Sequence, residues 1–188
     1  MARKGLTAER VTRAAADLAD EVGFENITLT ALARGFGVKD ASLYSHVRNL
    51  QELRVGIALL AAAELADRIA AAVAGRAGRD ALTAFARAYR DFALEHPGRY
   101  AATQARIDPA LLACSDGHRR NVDYTYAMLR AYGLEEPDLT DAGRLLRSTF
   151  HGFAVLEANG GFGHVRPPGE SFERAVQALH TALERWPD

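Results

Sequence analysis

Residues Gly37 to Asn49 read GVKDASLYSHVRN, and their polar side chains are the first candidates for chemistry in this chain. Leu43 and Val47 stand four apart, so one face of a short helix there is apolar. Around them Ser42, Tyr44, Ser45, His46 and Arg48 offer hydroxyls, a phenol, an imidazole and a guanidinium. Short or semi-rigid donors of this kind suit phosphate oxygens, and Arg48 adds a positive charge. Residues Lys39 to Ser42 would approach base edges, and the small Ala41 would let the helix axis come close and touch a thymine methyl. No catalytic signature accompanies these residues. The six histidines show neither HExxH nor paired metal-ligand spacing, and the chain has no GxSxG, phosphate-binding loop or GxGxxG. The sequence therefore predicts no enzyme chemistry, no metal and no cofactor.

The elements that must position these residues are helical, with no convincing strand. From Thr7 to Val22, apolar residues Val11, Ala14, Ala15, Leu18 and Val22 recur three and four apart. Thr7 is a candidate N-cap and Gly23 a stop. Thr28 is a second cap, before a helix that buries Leu29, Leu32 and Ala33 and ends at Gly35 or Gly37. The quoted stretch supplies a third helix. Asn49 caps a long one from Leu50 to about Ala74. Further helices are expected over 80–96, from 97 with an interruption near Asp108-Pro109, over 115–133, over 137–159, and from a Ser171 cap to Trp186.

Three short helices with a tight glycine-containing turn before the third are the sequence form of a helix-turn-helix unit, whose third helix lies in the DNA major groove. The segment "ITLTALARGFGVKDASLYSHVRNLQEL", preceded by "AADLADEVGFEN", resembles the DNA-binding domain of the TetR family of bacterial transcription regulators. The matching features are Thr28, the "LA..FGV" core, the "SLY.HV" recognition helix and the "N..EL" opening of the next helix. The segment "STFHGFAVLEANGGFG" (Ser148 to Gly163) further resembles the C-terminal domain of the WHG-type subgroup. The resemblance implies an all-α chain with a DNA-binding domain over 1–54 and a six-helix ligand-binding and dimerisation domain over 55–188. It implies a homodimer on a near-palindromic double-stranded operator, a small-molecule inducer and no catalysis. Carried over by position, Thr28, Ser42, Tyr44 and His46 are the expected phosphate contacts, and Thr30, Lys39, Asp40 and Ala41 the expected base readers.

Two positions depart from the family pattern. Leu50 stands where members commonly carry a phosphate-clamping lysine. Either phosphate docks on the free N–H groups of the helix start, or Leu50 is a buried staple against Val47 and Leu53. Asp40 places a carboxylate in phosphate-rich surroundings, where it either caps the recognition helix or accepts from a cytosine amine.

Composition bounds the rest. The chain has 188 residues, 48% of them hydrophobic and 25% charged, with a net charge of −1. A DNA contact must therefore be a local patch. The single cysteine, Cys114, cannot form an intrachain disulfide and reads as a part-buried apolar residue. No basic-then-apolar leader and no apolar run of membrane length are present, so a cytoplasmic protein that spans no membrane is expected. Phe85, Tyr89, Phe92, Tyr100, Tyr124 and Met128 have helical spacing and form either a core or the wall of an inducer cavity. Arg106, Arg147 and His151 are the nearest polar options, His151 serving either packing or ligand contact. The last two helices carry apolar residues on more than one face (Leu145, Leu146, Phe150, Phe153 and Leu156; Phe172, Val176, Leu179, Leu183 and Trp186). They are expected to pair with a partner chain in a four-helix bundle. The reading is a ligand-released repressor. Its rival is a helical enzyme or protein-binding module on the same fold.

Overall fold

The computed structural model describes residues 6–186. Every regular element among them is helical: α1 (Ala8–Val22), α2 (Leu29–Phe36), α3 (Leu50–Val73), α4 (Gly78–Glu95), α5 (Pro97–Thr103), α6 (Pro109–Ala113), α7 (Asp116–Arg130), α8 (Asp138–Ala158) and α9 (Pro168–Glu184). Short 3-10 turns occur at Phe24–Asn26 and Asp40–Ser42. The all-α expectation is met. Two compact units result, one of Met1–Glu64 with His96–His118, the other of Leu65–Glu95 with Arg119–Asp188. These units differ from a single cut at residue 54, because residues 96–118 belong to the first.

In the first unit, local signals start and stop the helices. Thr7 accepts from the Arg10 N–H at 3.2 Å and Thr28 from the Ala31 N–H at 3.1 Å, each satisfying one N–H that the first helical turn leaves without a partner. Gly37, with φ of 65°, closes α2 in the left-handed conformation that only glycine adopts cheaply. Asn49 accepts from the Glu52 N–H at 2.8 Å and caps α3. The apolar faces so positioned meet in one core that includes Val11, Ala15, Phe24, Ile27, Leu32, Leu43, Val47, Leu53 and Ile57.

α5 packs on α1 at very short range. A Cβ on Gly98 would overlap the backbone carbonyl of Ala19. The next residue, Arg99, is buried, and its guanidinium pairs with Asp17 and Asp20 of α1 and, through Nε at 3.0 Å, with Glu64 of α3. Its backbone N–H donates to Asp20 Oδ1 at 2.8 Å. Residues 97–118 are not one interrupted helix. Asp108 accepts from the Ala110 N–H at 2.8 Å and Pro109 opens the separate helix α6, since proline's missing N–H costs nothing at a first helical position. Cys114, expected to be part-buried, is exposed beyond the end of α6.

In the second unit, α4, α8 and α9 pack on one another. The Phe150 ring lies 6.2 Å from Phe85, 5.8 Å from Tyr89 and 5.9 Å from Phe172. Two forked ion pairs fix the same helices: Arg90 to Glu157 of α8 (Nε to Oε2 2.7 Å) and Arg87 to Glu173 of α9 (Nε to Oε1 2.7 Å). The hydrogen bond from Arg87 holds the Glu173 carboxyl below its usual range. α9 begins at Pro168, a turn before the expected Ser171 cap, because proline suits the first helical position.

One core covers most, but not all, of the apolar residues expected on more than one face of α8 and α9. Leu146, Phe150, Phe172, Val176, Leu179 and Leu183 are all buried within this unit, and Phe153 packs against Phe162 and Phe172. Leu145, Val155 and Leu156 of α8 remain exposed.

Gly98→Ala should lower stability by about 1–3 kcal/mol, the usual cost of overpacking, because backbone rather than a movable side chain blocks the new methyl. Gly35→Ala is the control. Its Cβ meets nothing within 4 Å, so it should be neutral or stabilise by up to about 1 kcal/mol. Urea melts of both variants would check this, and equal melts would remove the close approach of α5 to α1.

Candidate nucleic-acid interface

The expected recognition helix is shorter and tighter than an α-helix. Ser42 and Leu43 donate to the carbonyls of Lys39 and Asp40 three residues back, at 2.9 Å each, and His46 donates to Leu43 at 2.8 Å. Only Val47, donating to Leu43 at 3.0 Å, follows an α-helical spacing here. The Ser45 hydroxyl adds a local bond, donating to the Ser42 carbonyl at 2.8 Å.

The burial pattern nevertheless orients the stretch as the sequence requires. Leu43 and Val47 lie in the core, at 0% and 5% exposure. Lys39, Asp40, Ala41, Ser42, Tyr44, Ser45 and Arg48 are exposed, and His46 is half-buried. Tyr44 is 57% exposed, which removes the alternative that it is a packing residue. Thr28 is exposed at the N-terminus of α2. Its hydroxyl oxygen accepts the cap bond, which leaves its proton for an outside acceptor. The structure thus brings Thr28, Thr30, Lys39, Asp40, Ala41, Ser42, Tyr44, His46 and Arg48 together within one unit, all of them at least partly exposed.

Three members behave differently from expectation. Asp40 is not a helix cap: Lys39 holds the cap position without a side-chain bond, and the Asp40 carboxylate instead accepts from the Thr30 hydroxyl at 2.6 Å. Arg48 is paired with Glu52 (Nε to Oε1 3.3 Å), but both side chains are exposed, so the pair is weak and can exchange for a stronger anion. Leu50 is half-buried against the core that contains Val47 and Leu53, which favours the staple reading.

Glu52 was missed as a structural partner. One carboxylate oxygen accepts from the Arg48 N–H at 2.6 Å while Asn49 caps the Glu52 N–H. The Asn-x-x-Glu spacing was the available signal.

The expected ligand-contact set is divided between the units. Tyr100, buried, and Arg106, exposed, lie in the first. Phe85, Tyr89, Phe92, Tyr124, Met128, Arg147 and His151 lie in the second. Phe85, Tyr89, Phe92 and Met128 are buried there as core, Tyr124 and His151 are half-buried, and Arg147 is exposed. Two grooves of 610 and 640 Å³ open on the second unit. The first is lined by Arg68, Arg76, Asp80, Arg87 and Asp91 among others, the second by Arg79, Arg87, Arg166, Glu173 and Arg174 among others. None of the expected aromatic residues lines either groove. No helix among the described residues is long and apolar enough to cross a membrane.

Known proteins share this design along the whole chain. Residues 82–179 match the family model described as tetracyclin repressor-like, C-terminal domain. The chain is 33% identical over 187 residues to the uncharacterized HTH-type transcriptional regulator YobS of Bacillus subtilis, covering 96% of this chain and 94% of that one. It is 35% identical over 159 residues to the uncharacterized HTH-type transcriptional regulator Rv0681 of Mycobacterium tuberculosis, covering 82% of this chain and 72% of that one. The crystal structure of BioQ with its double-stranded DNA operator superposes with a TM-score of 0.68 at 24% identity, over 96% of this chain and 99% of that one, a likeness of fold. The polar turn seated on a helix-turn-helix core, together with these relatives, shows that the chain belongs to the TetR family of DNA-binding transcriptional regulators.

Proposed function

We propose that the protein is a cytoplasmic repressor that binds a near-palindromic operator as a homodimer and releases it when a small, mostly apolar ligand binds. The observation that carries the DNA face is the exposed row from Lys39 to Arg48 over buried Leu43 and Val47. Thr28, Ser42, Tyr44 and His46 would hold phosphates, and Lys39, Asp40 and Ala41 would meet bases. BioQ, of the same fold, has been solved on its own operator. α3 gives a route for the ligand's effect: this one uninterrupted helix supplies residues to both units. A tilt of it would move the recognition turns of a dimer off the spacing of about 34–36 Å that successive major grooves require. A coupling of about 1–3 kcal/mol suffices.

The exposed strip of Leu145, Val155 and Leu156 on α8 supports pairing with a second copy, as does Gly152 between them, whose missing side chain leaves open space. The ligand would enter the second unit, among the rings around Phe150. Apolar walls, with Arg147 and His151 of the same unit as the polar options, favour a neutral or weakly anionic compound over a cation.

Three experiments test this reading. In a gel shift with genomic fragments, Tyr44→Phe should weaken operator binding by about 1–2 kcal/mol, since it deletes one hydroxyl facing a charged acceptor. The loss should be equal across operator variants, because phosphate contacts carry no sequence information. An unaltered affinity would remove Tyr44 from the interface. Leu156→Glu should convert a dimer into a monomer with poor DNA binding by sedimentation, without loss of helical signal, because the side chain is 47% exposed in the single chain. A wild-type protein that sediments as a monomer at micromolar concentration would end the dimer proposal. Thermal-shift screening should find stabilisers among lipophilic compounds, worth about 2.7 kcal/mol at a hundredfold excess over Kd. Best hits that are polycationic or highly phosphorylated would overturn the ligand assignment.

A further inference from the structure

Asp40 is the one carboxylate in a face otherwise made of hydroxyls, cations and neutral groups. Its presence needs a physical account, because a negative charge near a duplex is repelled by phosphates. Two ways of neutralising it are missing among the described residues. It does not cap the recognition turn, and no cation pairs with it, neighbouring Lys39 included. What it does have is the Thr30 hydroxyl, which donates to Oδ2 at 2.6 Å. This bond reaches from α2 across the turn, commits the Thr30 hydroxyl proton and holds one oxygen of the carboxylate. Oδ1 is left as an unpartnered acceptor on the exposed side.

An acceptor-only group of this kind reads the major groove by exclusion. The groove offers hydrogen-bond donors at cytosine N4 and adenine N6 alone. Adenine N6 sits beside N7, itself an acceptor that repels a carboxylate. Guanine presents O6 and N7, and thymine O4, all acceptors. Cytosine N4 has no acceptor beside it on its own base. With Oδ2 held by Thr30, the single free oxygen matches a single amino group, and the repulsion from other bases adds discrimination.

We propose that Asp40, oriented by Thr30, accepts a hydrogen bond from a cytosine amino group, so that each operator half-site carries one required C·G pair opposite the start of the recognition turn. Thr30 is then a positioning residue and not itself a base reader. The inference rests on the DNA-binding reading above.

Selection of bound duplexes from a random pool tests it, using wild-type protein, Asp40→Ala, Asp40→Asn and Thr30→Val. Wild type should enrich a half-site with one invariant C·G pair, and replacing that pair should weaken binding about fivefold to 150-fold. Asp40→Ala should lose the preference at that pair alone while holding random DNA as tightly as before or tighter, because a repulsive charge is gone. Asp40→Asn should move the preference toward A·T, since an amide can donate to adenine N7 while accepting from N6. Thr30→Val should blunt the preference without reversing it. All three side-chain changes are at exposed positions, and matching thermal melts would confirm intact folds. An enriched operator whose base preferences are the same in wild type and Asp40→Ala overturns the inference and leaves the DNA-binding reading standing. A wild-type protein that enriches no sequence overturns both.

Discussion

The guanidinium of Arg99 is the contact on which the first unit depends. One buried cation meets three carboxylates, Asp17 and Asp20 from α1 and Glu64 from α3. Burial alone would lower the Arg99 pKa, but the hydrogen bonds it donates to Asp17 and Asp20 and the charges of Asp20 and Glu64 outweigh it, and the group is raised above its ordinary value. A buried cation without those partners would be strongly destabilising, so the three carboxylates and Arg99 stand or fall together. Their mutual geometry is fixed by the backbone at Gly98, which lets α5 approach α1 to a distance that no side chain permits. A segment eighty residues downstream in sequence is thereby made part of the helix-turn-helix unit. Whatever displaces α5 must break a charge cluster whose members also sit on α1 and α3.

The parts of this design written in local sequence were legible. The caps at Thr7, Thr28 and Asn49 need only the next three residues, and each hydrogen bond is where the residue types place it. The polar face over Leu43 and Val47 needs only helical periodicity, and it survives even though the helix is tightened into turns. Helical periodicity fits the looser and the tighter winding alike, so spacing does not decide between them. The grouping of residues 96–118 with the first unit was not legible, because it rests on Gly98 meeting Ala19 and on Arg99 meeting acids far away in the chain. A lone arginine after His-Pro-Gly carries no mark of its partners. The division of the aromatic set was not legible for a related reason: Tyr100 shares helical spacing with Phe92 but belongs to the other unit.

The interface also has an electrostatic character that the net charge of −1 anticipates. Along the recognition turn the full positive charges are Lys39 and Arg48, and Arg48 already shares its charge with Glu52. Leu50 adds packing where a lysine would add a cation. On the proposed docking, grip on the backbone would come largely from neutral donors, the hydroxyls of Thr28, Ser42 and Tyr44, and from the N–H groups at helix starts.

This balance changes what binding should respond to. Counterion release scales with the number of cations that meet phosphates, so a face with few of them has a shallow dependence on salt and a weak hold on random DNA. Each neutral hydrogen bond, by contrast, is worth most when its geometry is fixed. A carboxylate at Asp40 pushes in the same direction. It subtracts from attraction to any duplex and spares only those sequences that present a donor to it. Low non-specific attraction and a fixed acceptor together shift the free energy of binding from charge toward fit. On the proposed reading, a protein with no net positive charge would discriminate its operator from a genome of competing sites by losing affinity for the competitors, without needing unusual affinity for the operator itself.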